Sequence, residues 1–172
     1  MQERLTRFKQ KYSELENYLM ELKDQVAMNE QPAEGKWSVV QICEHLRLSE
    51  KATVGYILKK TQDKSKLVNH TFKSGLKLMT MKLAYLSPLK FKAPGDLPQP
   101  DNTKELGQVL TLWKDERKSM EKVFLGLDED VLQLGIFRHP YLGRLNAKQT
   151  LVFMEDHFDR HAKQIKGILE KV

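Results

Sequence analysis

The amino-acid sequence predicts an all-α protein: a bundle of four long helices, with a long crossover between the second and third that carries a short extra helix. Four stretches place apolar residues at alternating three- and four-residue steps, as in a helix that buries one face. No stretch requires a strand, and no internal repeat or low-complexity segment is present. The 172 residues fit one domain, spanning 1–172.

The first helix has the clearest apolar seam, which is predicted to consist of Leu5, Phe8, Tyr12, Leu15, Leu19, Leu22 and Val26. It is expected to end before Asn29, because Pro32 and Gly35 mark a loop.

The second helix is predicted to start at Ser38. Gln41 follows three residues later, and this pair is typical of a capping box. The predicted buried seam comprises Val39, Ile42, Leu46, Ser49, Thr53 and Tyr56. His45 borders this seam, so we expect it to face inward.

The crossover is strongly basic. Residues 59–92 hold nine lysines and one acid, Asp63, a charge of +8 that leaves the rest of the chain at −2. A weak amphipathic pattern over 70–88 predicts the short extra helix, and the prolines that follow forbid regular structure up to about residue 102. The lysines indicate a solvated face, a guide for an anionic substrate, or a nucleic-acid or lipid contact. The last is disfavoured because arginine is absent and aromatic residues are few.

The third helix is predicted to begin at Asn102, with Glu105 as its box partner and a seam formed by Leu106, Val109 or Leu110, Trp113, Met120, Val123 and Leu127. Residues 137–143 are predicted to be a loop. The fourth helix is predicted to begin at Asn146, boxed by Gln149, with a seam of Leu151, Met154, Phe158, His161, Ile165, Ile168 and Val172.

Three histidines converge in this bundle. His157 and His161 are four residues apart, so they share one face of the fourth helix, and His45 projects from the second. Helical bundles bind metals with side chains that point inward from facing helices. Three imidazole ligands would leave coordination positions open, as in catalytic rather than structural sites. The sequence therefore predicts a catalytic metal centre.

Two short motifs frame these residues. The first is Lys36-Trp37-Ser38 before a helix with Glu44-His45-Leu46, and the second is His139-Pro140-Tyr141-Leu142-Gly143 before a helix with His157-Phe158-Asp159-Arg160-His161 and Gln164. In order, spacing and placement they resemble the opening and closing motifs of the DinB-like (YfiT-like) four-helix-bundle superfamily. The resemblance covers most of the chain, and residues 59–100 are its least typical part.

The resemblance implies that His45, His157 and His161 bind a divalent metal such as zinc or nickel. The superfamily includes S-transferases that use bacillithiol and isomerases that use mycothiol. The implied function is a metal-dependent enzyme acting on small molecules, either a low-molecular-weight-thiol S-transferase or a metal-assisted hydrolase. The alternative is a non-catalytic, stress-related helical binding module whose metal is structural or absent. Homodimerisation through a bundle face is compatible with both.

Other polar residues are expected to be structural. His139 is expected to anchor its loop, and His70 to be solvated. Asp156 and Asp159 are expected on the outer face of the fourth helix rather than as partners of the histidines or as a base, and Glu44 is interpreted in the same way. Cys43 is expected to be a small buried hydrophobe rather than a nucleophile. The general base is not identified by the sequence.

Composition limits the class of protein. A single cysteine excludes an intramolecular disulfide and cysteine-based zinc knuckles. The N-terminus is charged and lacks the apolar core of a signal peptide, and no apolar run approaches the ~18 residues of a membrane span. A cytoplasmic protein with neither a nucleic-acid nor a membrane partner is expected.

Overall fold

The computed structural model describes residues 1–24, 27–69, 76–78, 80 and 99–171. The all-α prediction is confirmed, with a small two-stranded sheet added. The four long helices are α1 (Gln2–Leu22), α2 (Val39–Thr61), α3 (Leu106–Leu125) and α4 (Ala147–Leu169). A 3₁₀ helix spans Lys64–Lys66, and the strands are β1 (Phe137–His139) and β2 (Gly143–Leu145).

Helices α1 and α2 each pack against both α3 and α4. Helices α2 and α3 run parallel: Glu44, early in α2, pairs with Lys104 just before α3, and Glu50 pairs with Arg117 further along both helices. Parallel neighbours require a connection that returns along the bundle. This geometry explains the long crossover over residues 62–105, which the sequence predicted.

Two helix starts are as predicted. At α2, the hydroxyl of Ser38 accepts a hydrogen bond from the backbone N–H of Gln41, whose side chain accepts one from the backbone N–H of Ser38. Asn146 and Gln149 form the same box at α4. Each box satisfies backbone donors that a helix end leaves unpaired. These two capping boxes therefore define where the two histidine-bearing helices begin.

The predicted start of α3 at Asn102 is wrong. The N-cap is Glu105, boxed with Gln108. Asn102 has φ of 62° and accepts a hydrogen bond from the Ser38 hydroxyl at 2.7 Å, while its amide donates to the backbone oxygen of Asn29 at 2.8 Å. Its side chain therefore ties the end of the crossover to the start of α2 and is not free to cap α3.

The predicted loop over residues 137–143 is partly wrong as well. Its ends form an antiparallel hairpin in which Phe137 faces Leu145 and His139 faces Gly143. Gly143 has φ of 81°, a conformation that glycine adopts at little cost. The hairpin is anchored because Ile136, Leu142 and Leu145 are buried.

The apolar residues of the predicted seams are buried or partly buried in α1, α3 and α4; His161 is only half-buried, and Val26 and Val172 lie outside the described residues. The seam of α2 is partly wrong, because Tyr56 is 38% exposed and Ser49 is half-buried. Helix α2 packs on two neighbours, so its buried surface is wider than one seam and also includes Cys43, Glu50, Val54 and Ile57.

Most of the crossover lies outside the described residues, including His70, the lysines at 73, 82, 90 and 92, and much of the predicted short helix. Residues 76–78 and 80 are helical. Some of its charge is paired, since Lys64 contacts Asp128 and Asp130, and Lys66 contacts Asp63. None of the helices that the structure describes combines the length and apolarity that crossing a membrane requires.

Candidate metal centre

The first histidine of the site lies in the second turn of α2. His45 is 6% exposed, and its ring lies 4.8 Å, centroid to centroid, from the ring of Trp37. Trp37 directly precedes the N-cap Ser38, so the capping box that starts α2 also places this indole against the imidazole. The prediction that His45 faces inward is confirmed.

The other two histidines lie one turn apart on α4 and are both half-buried. His161 is therefore not the fully buried core residue that its seam position predicted. The three rings are close and steeply inclined: the centroids of His45 and His157 are 5.2 Å apart, those of His45 and His161 4.9 Å, and those of His157 and His161 4.7 Å. One ring nitrogen from each histidine lies within 4.8 Å of the other two, so the cluster could hold a metal ion.

One distance matches metal geometry closely. Nε2 of His45 and Nε2 of His157 are 3.3 Å apart. Two nitrogen atoms bound about 2.0–2.1 Å from one tetrahedral ion are separated by about 3.3–3.4 Å. The two atoms lie within hydrogen-bonding distance of each other, and the same separation fits two ligands of one ion.

The third histidine of the cluster is oriented by a residue on its own helix. Nδ1–H of His161 donates a hydrogen bond to Oε1 of Gln164 at 2.9 Å. Because Nδ1 carries the proton, Nε2 of His161 keeps its lone pair for a metal. Gln164 was noted in the sequence only as part of a motif; the i, i+3 spacing to His161 was the available signal for this role.

All three histidines are neutral at neutral pH. Burial lowers the pKa of His45 to about 4 and, with the charge of His45, that of His161 to about 3. The pKa of His157 is lowered well below its usual value by burial and by the charges of the neighbouring histidines. Only the neutral imidazole can bind a metal, so the folded protein presents all three rings in the form that metal binding would need.

The carboxylates near the site are held by cations. Glu44 is buried, contrary to the outer-face expectation, and is bound by Arg47 at 2.7 Å and Lys104 at 3.3 Å. Asp159 is exposed, as expected, and pairs with Lys11 at 2.6 Å. Asp156 is half-buried. Neither Glu44 nor Asp159 is placed as a base or as a partner of the site histidines.

Two further predictions are confirmed. Nδ1 of His139 accepts hydrogen bonds from the backbone N–H groups of Tyr141 and Leu142, both at 3.2 Å, so this histidine anchors its loop. Cys43 is fully buried, and burial raises the pKa of its thiol to about 12. A thiol in this state is not a nucleophile.

A buried carboxylate on the opposite face of α4 was not predicted from the sequence. Glu155 accepts hydrogen bonds from Arg4 at 2.6 Å and from Arg7 at 2.8 Å, and pairs with Lys11 at 3.1 Å. Burial alone would raise the pKa of Glu155, but its bonds to Arg7 and Lys11 outweigh this effect and lower the pKa to about 2. This cluster joins α1 to α4 and leaves the histidine face of α4 turned toward α2.

Comparison with protein families identifies this chain, with its histidines, as matching a known family. The family model described as the DinB superfamily matches residues 7–165, which include all three histidines of the site. No curated protein and no solved structure matches the chain.

Proposed function

Because the chain belongs to the DinB superfamily, we propose that it is a metal-dependent enzyme acting on small molecules, with His45, His157 and His161 as the metal ligands. The observation that carries the proposal is the 3.3 Å separation between Nε2 of His45 and Nε2 of His157. Zinc and nickel are the metals proposed, and both accept imidazole ligands.

The proposed reaction is transfer of a low-molecular-weight thiol to an electrophilic small molecule, with metal-assisted hydrolysis as the second possibility. A bound divalent ion would lower the pKa of a coordinated thiol or water. The protein supplies the ligands, and Gln164 holds the ring of His161 in the competent tautomer. The thiol must come from solution, because Cys43 is enclosed and protonated.

Metal analysis tests the ligand assignment. We expect near-stoichiometric metal by elemental mass spectrometry in protein purified without a histidine tag, and almost none in His157→Ala/His161→Ala. Lys163→Ala is the matched control, because it likewise introduces alanine into α4, but at an exposed position outside the histidine cluster. Full metal occupancy in the double variant would contradict the assignment.

The alternative is a non-catalytic, stress-related binding module in which an ion only joins α2 to α4. The position of the site between these helices favours this alternative, since an ion there would link them. Removing the metal with a chelator separates the two proposals. An enzyme should remain folded and lose thiol transfer, whereas a structural site should lose cooperative unfolding together with the ion.

A further inference from the structure

A fourth histidine, which is buried, lies next to the three-histidine site. His139, at the end of β1, is 8% exposed, and its ring centroid is 4.5 Å from that of Phe153. Phe153 in turn stacks on His157, with the centroids 5.8 Å apart and the planes inclined by 14°. A positive charge on His139 would be felt at the ligands, as it is among the causes that lower the pKa of His157. One aromatic ring therefore links His139 to the metal ligands.

The hydrogen bonds of His139 fix the position of its proton. Two backbone N–H groups, from Tyr141 and Leu142, donate to Nδ1, so Nδ1 carries no proton. Burial lowers the pKa of His139 to about 4, and the ring is therefore neutral at neutral pH. A neutral imidazole without a proton on Nδ1 must carry it on Nε2. His139 thus presents a fixed, uncharged N–H donor.

This donor is not used within the described part of the chain, where no hydrogen-bond partner of Nε2 is found. A second polar group near the site is also unpaired: the Oγ atom of Ser49 is buried without a partner. Ser49 follows His45 by one turn on the same face of α2. Nε2 of His139 is not among the buried atoms without a partner, so this N–H is open to solvent, and a ligand oxygen can replace the water that it would otherwise bind.

Several aromatic rings lie close to the imidazole of His139. Phe137 stacks on Phe153 with centroids 6.1 Å apart, and the ring of Tyr141, which is 58% exposed, lies 5.9 Å from that of His139. Such rings favour a flat, apolar group. The pairing of an aromatic surface with a single neutral donor is a specific chemical preference, distinct from that of the metal ligands.

We propose that His139 is a substrate-binding residue whose Nε2–H donates a hydrogen bond to a carbonyl or carboxylate oxygen of a small aromatic substrate. This inference rests on the proposed function, because it concerns the substrate of the same site. It assigns the hairpin β1–β2 a part in substrate specificity, and it gives His139 a role beyond that of anchoring its loop.

Two substitutions separate the anchor from the donor. In His139→Asn the side-chain oxygen can take the place of Nδ1 and keep the bonds from Tyr141 and Leu142, but nothing replaces Nε2–H. In His139→Gln the side-chain amide can take the place of Nε2–H, while the anchor is lost. A residue that only anchors the loop would tolerate asparagine better than glutamine; a substrate donor would show the opposite order in ligand binding.

The test uses protein loaded with Co²⁺, whose visible absorption reports ligand binding. Titration with benzoate should give an affinity ~10- to 100-fold weaker in His139→Asn than in the wild type, as expected for a lost hydrogen bond to a charged group. His139→Gln should recover part of this loss. Benzenethiol, which has no oxygen acceptor, should bind both variants and the wild type about equally. The Co²⁺ content of each protein is measured alongside.

Several results would overturn the inference. Equal benzoate affinity in His139→Asn and the wild type, with Co²⁺ bound in both, would remove the role of His139 and leave the metal centre intact. Absence of Co²⁺ from the wild type would overturn the proposed function and this inference together. A nitrogen NMR spectrum of the metal-free protein that placed the His139 proton on Nδ1 would also overturn it; the expected spectrum shows the proton on Nε2.

Discussion

Helix α2 carries two buried polar clusters that begin only five residues apart and differ in how the protein satisfies them. The carboxylate of Glu50 accepts hydrogen bonds from the indole of Trp113 at 2.9 Å and from Arg117 at 3.2 and 3.3 Å. His45 instead faces two other neutral imidazoles. The first cluster pairs opposite charges; the second brings three imidazoles together, with Nε2 of His45 and Nε2 of His157 3.3 Å apart.

The guanidinium of Arg117 shows how complete the first cluster is. It lies 3.9 Å above the ring centroid of Phe8 and also donates to the backbone oxygen of that residue at 3.4 Å. Every strong polar group around Glu50 therefore has a partner from the fold itself. The three-histidine cluster instead brings together three ring nitrogens that one cation could bind. Of these two clusters, the one that could bind a cation is the better candidate for function.

The largest expected effect comes from breaking the complete cluster. Arg117→Met should lower the free energy of unfolding by about 3–5 kcal/mol, because it leaves the carboxylate of Glu50 buried without its ionic partner. Urea unfolding measures this loss. The double variant Glu50→Leu/Arg117→Met should be clearly more stable than Arg117→Met. If the folded variants also lose the metal, the two clusters are coupled and the comparison fails.

The histidines predict a pH dependence of the metal-free protein. Their folded-state pKa values, about 4 for His45 and His139, lie below the unfolded value of about 6.5. As the pH falls below 6.5, these histidines become protonated in the unfolded chain but stay neutral in the folded one. The free energy of unfolding therefore decreases, by about 2 kcal/mol per such histidine at pH 5. Urea unfolding at pH 7 and pH 5 measures it.

The Glu50–Arg117 cluster changes the free energy of unfolding in the opposite direction, since burial raises the pKa of Glu50 and the folded protein then gains stability as the pH falls. Glu155, with its pKa of about 2, loses its contribution only below about pH 4.3, outside this window. His139→Asn should remove one histidine's share of the loss between pH 7 and pH 5. If the free energy of unfolding of this variant depends on pH as the wild type does, the pH dependence arises from other groups.

Substitution of Gln164 tests the three-histidine cluster of this comparison. Gln164→Ala should weaken metal binding by about 10- to 100-fold, because the ring of His161 loses the acceptor that fixes its tautomer. Competition with a metal-binding dye measures the change, and Lys163→Ala again serves as the control. The stability of the metal-free protein should hardly change, since Gln164 is exposed. Unchanged metal affinity would show that His161 needs no orienting partner.

The smallest effect is expected at the helix start that supports the site. Asn146→Ala should cost about 1 kcal/mol, because α4 loses its N-cap. Metal stoichiometry should stay at the wild-type level, as the cap lies more than two turns before His157. Thermal unfolding and metal analysis of the same sample test both statements. A loss of metal without a loss of stability would contradict them.

Short-range patterns allowed much of this structure to be predicted. The capping boxes at Ser38 and Asn146 involve residues three apart, and the histidine pair on α4 involves residues four apart, so helical geometry alone places them. The convergence of His45 with that pair was predictable because both border apolar seams that must face the same core. The three-histidine cluster followed from the same reasoning, helped by the two motifs around it.

Long-range pairing was not predictable. Asn102 is a residue type that often caps helices, yet its side chain instead accepts a hydrogen bond from the hydroxyl of Ser38, which is distant in the sequence. From the sequence, Glu50 and Arg117 would be expected to be exposed residues of charged helices. Each is paired with a residue far away in the sequence, so no local pattern indicates the pair. The strands of the hairpin have three residues each, too few for alternation to stand out from a loop.

The buried thiol of Cys43 gives this protein an internal reporter. It is the single cysteine of the chain, it is fully enclosed, and it lies two residues before His45. A thiol reagent can react with it only when α2 opens, so the labelling rate measures how often that opening occurs. An ion bound to the closed form alone slows labelling in proportion to its concentration over its dissociation constant. Metal affinity can therefore be read from reagent kinetics, even for an ion as spectroscopically silent as zinc.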